Sequence, residues 1–214
     1  MLTDRLSHFF EYIGAEWVLW VLLGLLALAV LVTVERALFF RTRLDPKALS
    51  EQVIAAIRAG DLGAARAAVK DDGSMVPSVL RATLDAWDGG VDALEEVIAA
   101  ATARERTRYE KLLPILGTLG NSAPFIGLFG TVIGILSAFA ALGTGLEGAE
   151  LKTQVMGAIG EALVATAVGL GVAIPCVIAF NAFKTRIKGM VGESEATSRL
   201  ILAHLKSTRG KERR

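Results

Sequence analysis

Between Gly157 and Asn181 the chain is built almost wholly of small and apolar residues, and Glu161 is the one carboxylate among them. An ionised carboxylate near the centre of a bilayer costs a few kcal/mol, so such a residue usually faces a cavity or a partner. Apolar surroundings disfavour the charged form of a carboxylate, which is what lets one take up and release a proton. Thr166 follows five residues later, on a helix about 7.5 Å along the axis and about 140° around it. The two side chains do not stack on one face, but they could border one wide cavity or two sides of a crowded interface. Carboxylates, hydroxyls and waters are the parts from which intramembrane proton relays are made. Other polar residues in this and neighbouring apolar stretches include Asn121, Ser122, Thr131, Ser137 and Asn181. A hydroxyl can bond a carbonyl of its own helix, so each hydroxyl alone reads as structural. The bland reading of Glu161 is an interfacial cap, two turns into a span that starts at Val155. A single carboxylate makes an incomplete pathway, so a second titratable group is expected from another chain.

These residues must be positioned by helices in a membrane. Three stretches are long enough, since about 20 apolar residues span a bilayer. They are Trp17 to Val34, Leu112 to Leu142, and Val155 to Phe183. The chain has 214 residues, and its 53% hydrophobic content is clumped in those stretches, which points to a polytopic membrane protein. A cleavable signal peptide describes the first stretch poorly, because Asp4 and Glu11 precede it and no small-residue cleavage site comes before Glu35 and Arg36. A formal net charge of +1 gives no basic bias toward nucleic acid. Cys176 is the only cysteine, which excludes a disulfide framework within one chain. His8 and His204 lack nearby partners, so no metal site is expected.

The basic residues set an expected orientation. Arg36, Arg41, Arg43 and Lys47 follow the first span, Arg104, Arg106, Arg108 and Lys111 precede the second, and Lys184, Arg186 and Lys188 follow the third. The positive-inside rule then places the N-terminus outside and the C-terminus in the cytoplasm. The expected organisation is an external segment 1–16, a first transmembrane helix 17–40 and a cytoplasmic helical domain 41–111. A second transmembrane helix 112–142, a short external loop 143–154 and a third transmembrane helix 155–183 follow, and a basic cytoplasmic helix or tail covers 184–214. In the cytoplasmic part, Asp45 caps a helix that stops at Gly60, Asp61 caps a second to about Lys70, and "DDGS" separates it from a third over Val76 to Trp87. Asp92 with Glu95 has the spacing of a capping box. No strong breaker follows before Pro114, so a helix from Asp92 is expected to run straight into the second span, with Pro114 and Pro124 as points of kinking.

No Ser/His/Asp set, metal-ligand spacing or phosphate loop occurs in the soluble part, so no enzymatic chemistry is expected. "GLFGTVIG" lies in an uncharged span with no lysine after it, so Gly127, Gly130 and Gly134 are packing residues that let helix backbones approach. The first span, rich in Leu and Val with Trp17 and Trp20 at one edge, is expected to face lipid while the other two pack within an assembly.

Two stretches carry a resemblance. "APFIGLFGTVIGILSAF", Ala123 to Phe139, and "IGEALVATAVGLGVAIPCVIAFN", Ile159 to Asn181, resemble the signature spans of the MotA/TolQ/ExbB proton-channel family. The three-span layout fits its ExbB/TolQ branch. The resemblance implies an all-α fold assembling as a ring of five copies around two copies of a single-span ExbD/TolR-type partner. That partner's transmembrane Asp completes a proton path, and proton flow turns the inner helices to do mechanical work. Carried over by position, Glu161 is the family's carboxylate and Thr131 and Thr166 are its pore-side hydroxyls. Pro175 and Asn181 match helix-shape and packing positions. No cofactor is implied, protons being the transported ion. TonB-dependent transport, Tol envelope maintenance and gliding are all compatible systems. The rival reading is a structural scaffold oligomer that conducts no ion.

Overall fold

A computed structural model of the chain describes residues 16–41, 46–69, 73–143 and 148–212. The fold is all-α, with no strand among the described residues. In order come α1 (Glu16–Arg41), α2 (Pro46–Arg58), α3 (Leu62–Ala68), α4 (Met75–Asp85), a 3-10 turn (Trp87–Gly89), α5 (Val91–Glu110), α6 (Leu113–Leu142) and α7 (Gly148–Glu212). Three of these, α1, α6 and α7, are long and apolar enough to cross a membrane. The Asp45 cap, the Asp71–Asp72 break, the segment before Glu16 and residues 144–147 of the expected loop lie outside the described residues.

The chain divides into two compact units. The first consists of the chain up to Ala37 together with Leu112–Asn181. Here α6 and α7 run antiparallel: Gly120 lies against Ala173 and Val177, Gly127 against Ala165 and Gly169, and Gly134 against Ala158 and Ala162. The buried α7 residues Ala162, Ala165, Val172, Ala173 and Cys176 recur at helical spacing and form one stripe along that contact. Large side chains are turned outward on all three helices, among them Trp20, Leu31, Phe125, Phe139, Leu163 and Ile178. Such a surface suits lipid or neighbouring helices, where burial from water gives no drive to fold inward.

The second unit is Leu38–Lys111 with Ala182–Arg214. Its core joins Val53 and Ile57 of α2, Ala65 of α3, Val76, Leu80 and Leu84 of α4 and Ile201 of α7, all buried. Each side chain is one turn from the next on its helix, and burying one of these larger side chains stabilises the unit by about 1.5–3 kcal/mol. A second cluster joins Leu94 of α5 to Leu202 and Leu205 of α7. Gly60, at φ +79°, ends α2, and Asp61 accepts a hydrogen bond from the Ala64 amide at 2.8 Å to start α3. The α4 N-terminus is satisfied from another helix: the Met75 amide donates to the Tyr109 hydroxyl at 3.0 Å. Around Tyr109, which is fully buried, Phe39 and Phe40 pack edge-on at 5.2 and 5.5 Å. Phe40 also stacks on Phe183, and Arg186 donates to the Phe40 carbonyl at 2.9 Å.

Two expectations are corrected. The helix through α5 does not continue into the second span. It ends at Glu110, Leu112 takes a left-handed conformation at φ +68°, and α6 starts anew with Pro114 in its first turn. Pro114 lacks an amide hydrogen and so suits the first turn of the new helix, where no partner for that amide exists. The capping box is also absent. Gly90 holds the N-cap of α5 at φ +91°, and no side chain caps it. Glu95 instead pairs with Lys206 of α7 at 2.8 Å. Inside α6 and α7 the helices run on through Pro124 and Pro175.

Candidate functional site

Glu161 and Thr166 are carried by α7, and Thr131 by α6. Glu161 lies thirteen residues past the start of α7 at Gly148, about 20 Å along the axis. It is therefore no cap of that helix. Its side chain is exposed on α7, and no ion pair or hydrogen bond joins it to another described residue. Gly157, Gly160 and Gly171 on the same helix have open space where a side chain would stand.

Contacts between the two helices fix the relative level of the three residues. Gly127 meets Ala165 and Thr166, and Gly134 meets Ala158 and Ala162. Thr131 lies midway between those glycines on α6, so it is level with the stretch of α7 between Glu161 and Thr166. The levels agree, but the sides do not. Thr131 is one turn from Gly127, which touches Thr166, so the two hydroxyls share a flank of the helix pair. Glu161 is one turn from Ala165, which meets Gly130 together with Val18 of α1. It therefore stands on the other flank. Of the alternatives open from the sequence, the structure takes the one in which carboxylate and hydroxyls face two sides.

The two hydroxyls also differ in bonding. Thr131 donates to the Leu128 carbonyl at 2.6 Å, whereas the Thr166 oxygen is buried and has no hydrogen-bond partner among the described residues. A buried hydroxyl left unpaired costs about 1–3 kcal/mol. The packing glycines stand where helices touch: a methyl group on Gly130 would come within 2.7 Å of the Ala165 side chain, and one on Gly134 within 2.6 Å of Ala162. Pro175 and Asn181 are exposed on α7, off the α6 contact.

Elsewhere, the second unit has a groove of about 590 Å³ lined by Glu95, Thr102, Arg106, Glu195 and Arg199 among others. No histidine, cysteine or serine lines it. Glu110 beside Arg106 raises the guanidinium pKa still further above its ordinary value, so Arg106 is a permanent cation. Among the described residues no three His, Cys, Asp or Glu side chains gather as metal ligands do.

With this geometry in place, comparison with known proteins is decisive at the level of family. The model of the MotA/TolQ/ExbB proton channel family matches residues 72–196, more than half of the chain. The chain belongs to the MotA/TolQ/ExbB proton channel family. The matched region contains α6, Glu161 and both threonines. Within the family it lies in the ExbB/TolQ branch. It is 43% identical over 105 residues to the Tol-Pal system protein TolQ of Pseudomonas aeruginosa, covering 49% of this chain and 45% of that protein. To the biopolymer transport protein ExbB of Xanthomonas campestris pv. campestris it is 43% identical over 90 residues, covering 42% of this chain and 35% of the relative. The ExbB of Neisseria gonorrhoeae is 48% identical over 84 residues, with shares of 39% and 37%. The chain thus spans less than half the length of these curated relatives. Their names are those of a Tol-Pal system protein and of biopolymer transport proteins, and the three apolar helices make this chain a multi-pass membrane protein.

Proposed function

We propose that the chain is the proton-conducting subunit of an inner-membrane motor, in which Glu161 on one flank of the α6–α7 pair and Thr131 and Thr166 on the other border the proton path. The observation that carries this reading is Glu161: an exposed, unpartnered carboxylate about 20 Å along a membrane-crossing helix, in a chain of a proton channel family. Such a residue needs a partner within the membrane. Since none of the described side chains supplies one, the partner comes from a second protein, a single-span ExbD/TolR-type subunit whose transmembrane Asp faces the path. Two copies of it stand inside a ring of five copies of this chain. Protons are the transported ion, no cofactor takes part, and the protein is not an enzyme.

The N-terminus faces the periplasm and the C-terminus the cytoplasm, which puts the core built on α2–α5 in the cytoplasm. Proton motive force is converted into movement of the partner, serving TonB-dependent transport, Tol envelope maintenance or gliding. Substitution Glu161→Gln is nearly isosteric and removes the titrating group. It should abolish energy-dependent function while the complex still assembles. The scaffold reading predicts that function survives this change at normal expression.

A further inference from the structure

The groove of about 590 Å³ in the second unit lies between α5 and the C-terminal part of α7, and no proton-path residue lines it. The two helices are antiparallel there. Glu95 pairs with Lys206, and Arg106, eleven residues on, feels the charge of Glu195, eleven residues back. Ile98, Ala99, Ala103, Val191 and Leu202 give the groove its apolar lining, with Glu95 at one end and Arg106 at the other. Midway stands Thr102, only 6% exposed, its hydroxyl oxygen buried without a hydrogen-bond partner among the described residues. The buried hydroxyls of Thr83 and Ser194 in the same unit bond carbonyls of their own helices. A buried polar group left without a partner marks a place where the single chain is incomplete.

A matching ridge lies elsewhere on α7. Among the described residues of the second unit, Leu38 and Leu200 are the large hydrophobics turned outward. Leu38 belongs to the membrane-crossing α1, whereas Leu200, 49% exposed, stands on the part of α7 that lines the groove. Ala196, Leu200 and Ala203 follow one another at helical spacing, all exposed, with Glu193 and His204 flanking them. This ridge is about 110° around α7 from Val191, Glu195, Arg199 and Leu202.

We infer that the groove is where copies of this chain meet: the Leu200 ridge of one copy seats between α5 and α7 of the next. A groove and a ridge at different places on one chain make a heterologous contact, which repeats from copy to copy and closes into a ring. Copies related by a ring axis carry equal residues at equal heights. The neighbour's Leu200 then stands level with Ile98 and Ala99, and its Ala196 with Thr102 and Ala103. Its Glu193 comes within a turn of Arg106 and its His204 within a turn of Glu95, so that carboxylate meets guanidinium and a ring N–H meets carboxylate. Two carboxylates and two guanidiniums line the groove, which therefore offers no net charge to a free ion. The contact rests on the proposed ring of copies.

The test uses the full chain with its single-span partner in native membranes, from cells making two differently tagged copies. One carries Ala103→Cys and the other Ala196→Cys, both at exposed positions, while the native Cys176 is buried. Mild oxidation should join the two tags through a disulfide, which needs Cα atoms within about 7 Å. Ala103→Cys against Ala67→Cys, at an exposed alanine of α3, should give none. Adding Leu200→Glu to the Ala196→Cys chain should cut the disulfide yield by about tenfold or more, as when a buried leucine is lost from a contact. Five copies by native mass without that disulfide would overturn the inference and leave the ring standing. So would a yield unchanged by Leu200→Glu, or an equal yield with Ala67→Cys. Protection of Ala103→Cys from a maleimide only when the single-span partner is present would give the groove to that partner, and overturn the inference too. The disulfide in a complex of another copy number would support the contact and contradict only the proposed five.

Discussion

Tyr109→Phe removes one oxygen atom from the centre of the second unit. In the wild-type chain that oxygen accepts the Met75 amide at 3.0 Å, and both residues are fully buried. The first amides of a helix have no partner within it, so Met75, the first residue of α4, depends on this bond. The phenyl ring that remains keeps its packing on Phe39 and Phe40, so no cavity opens. The cost is then that of a buried donor left unsatisfied, about 1–3 kcal/mol. Amide hydrogen exchange in detergent, resolved to the α4 N-terminus, reads it directly. Protection at Met75 should fall by roughly 5- to 150-fold, given tenfold per 1.4 kcal/mol. Thermal unfolding should fall by a few degrees. Unchanged exchange at Met75 together with an unchanged unfolding temperature would refute the assignment of Tyr109 as the cap of α4.

Other changes have simpler expectations. Asp61→Ala removes the N-cap of α3 and should destabilise the protein by about 1 kcal/mol, seen as a lower unfolding temperature and faster exchange at Ala64. Leu84→Ala empties a fully buried position in the core shared by α2, α3, α4 and α7, and about 2–5 kcal/mol should be lost in the same melt. Native mass measurement of the complex purified with its partner should give five copies of this chain, and a stable dimer or tetramer would contradict the proposed ring.

Much of this was legible in the sequence because the hydrophobic pattern is strong. The three membrane helices announce themselves by length, and the Gly60 stop and Asp61 cap act through local chemistry that a short window contains. What was not legible depends on distant residues. Asp92 and Glu95 have capping-box spacing, but Lys206, more than a hundred residues on, takes the Glu95 carboxylate. By residue type Pro114 is a point of kinking, whereas the left-handed turn at Leu112 just before it makes a full break. Hydropathy ends near Phe183, yet α7 runs on to Glu212 with Ile187, Ser194, Thr197, Ser198, Ile201 and Leu205 buried along it, small polar residues interrupting the apolar pattern. For the candidate site, Glu161, Thr131 and Thr166 could be named from residue type and resemblance. Their division between two flanks could not, since it depends on which α6 glycine meets which α7 residue.

The central claim is that Glu161 carries protons. The direct measurement is proton flux in inverted vesicles holding the complex with its single-span partner, compared between wild type and Glu161→Gln at equal amounts of assembled complex. A loss of about 100-fold or more is expected, as when a positioned proton-transfer group is removed, with assembly unchanged. Wild-type flux through the Glu161→Gln complex would contradict it.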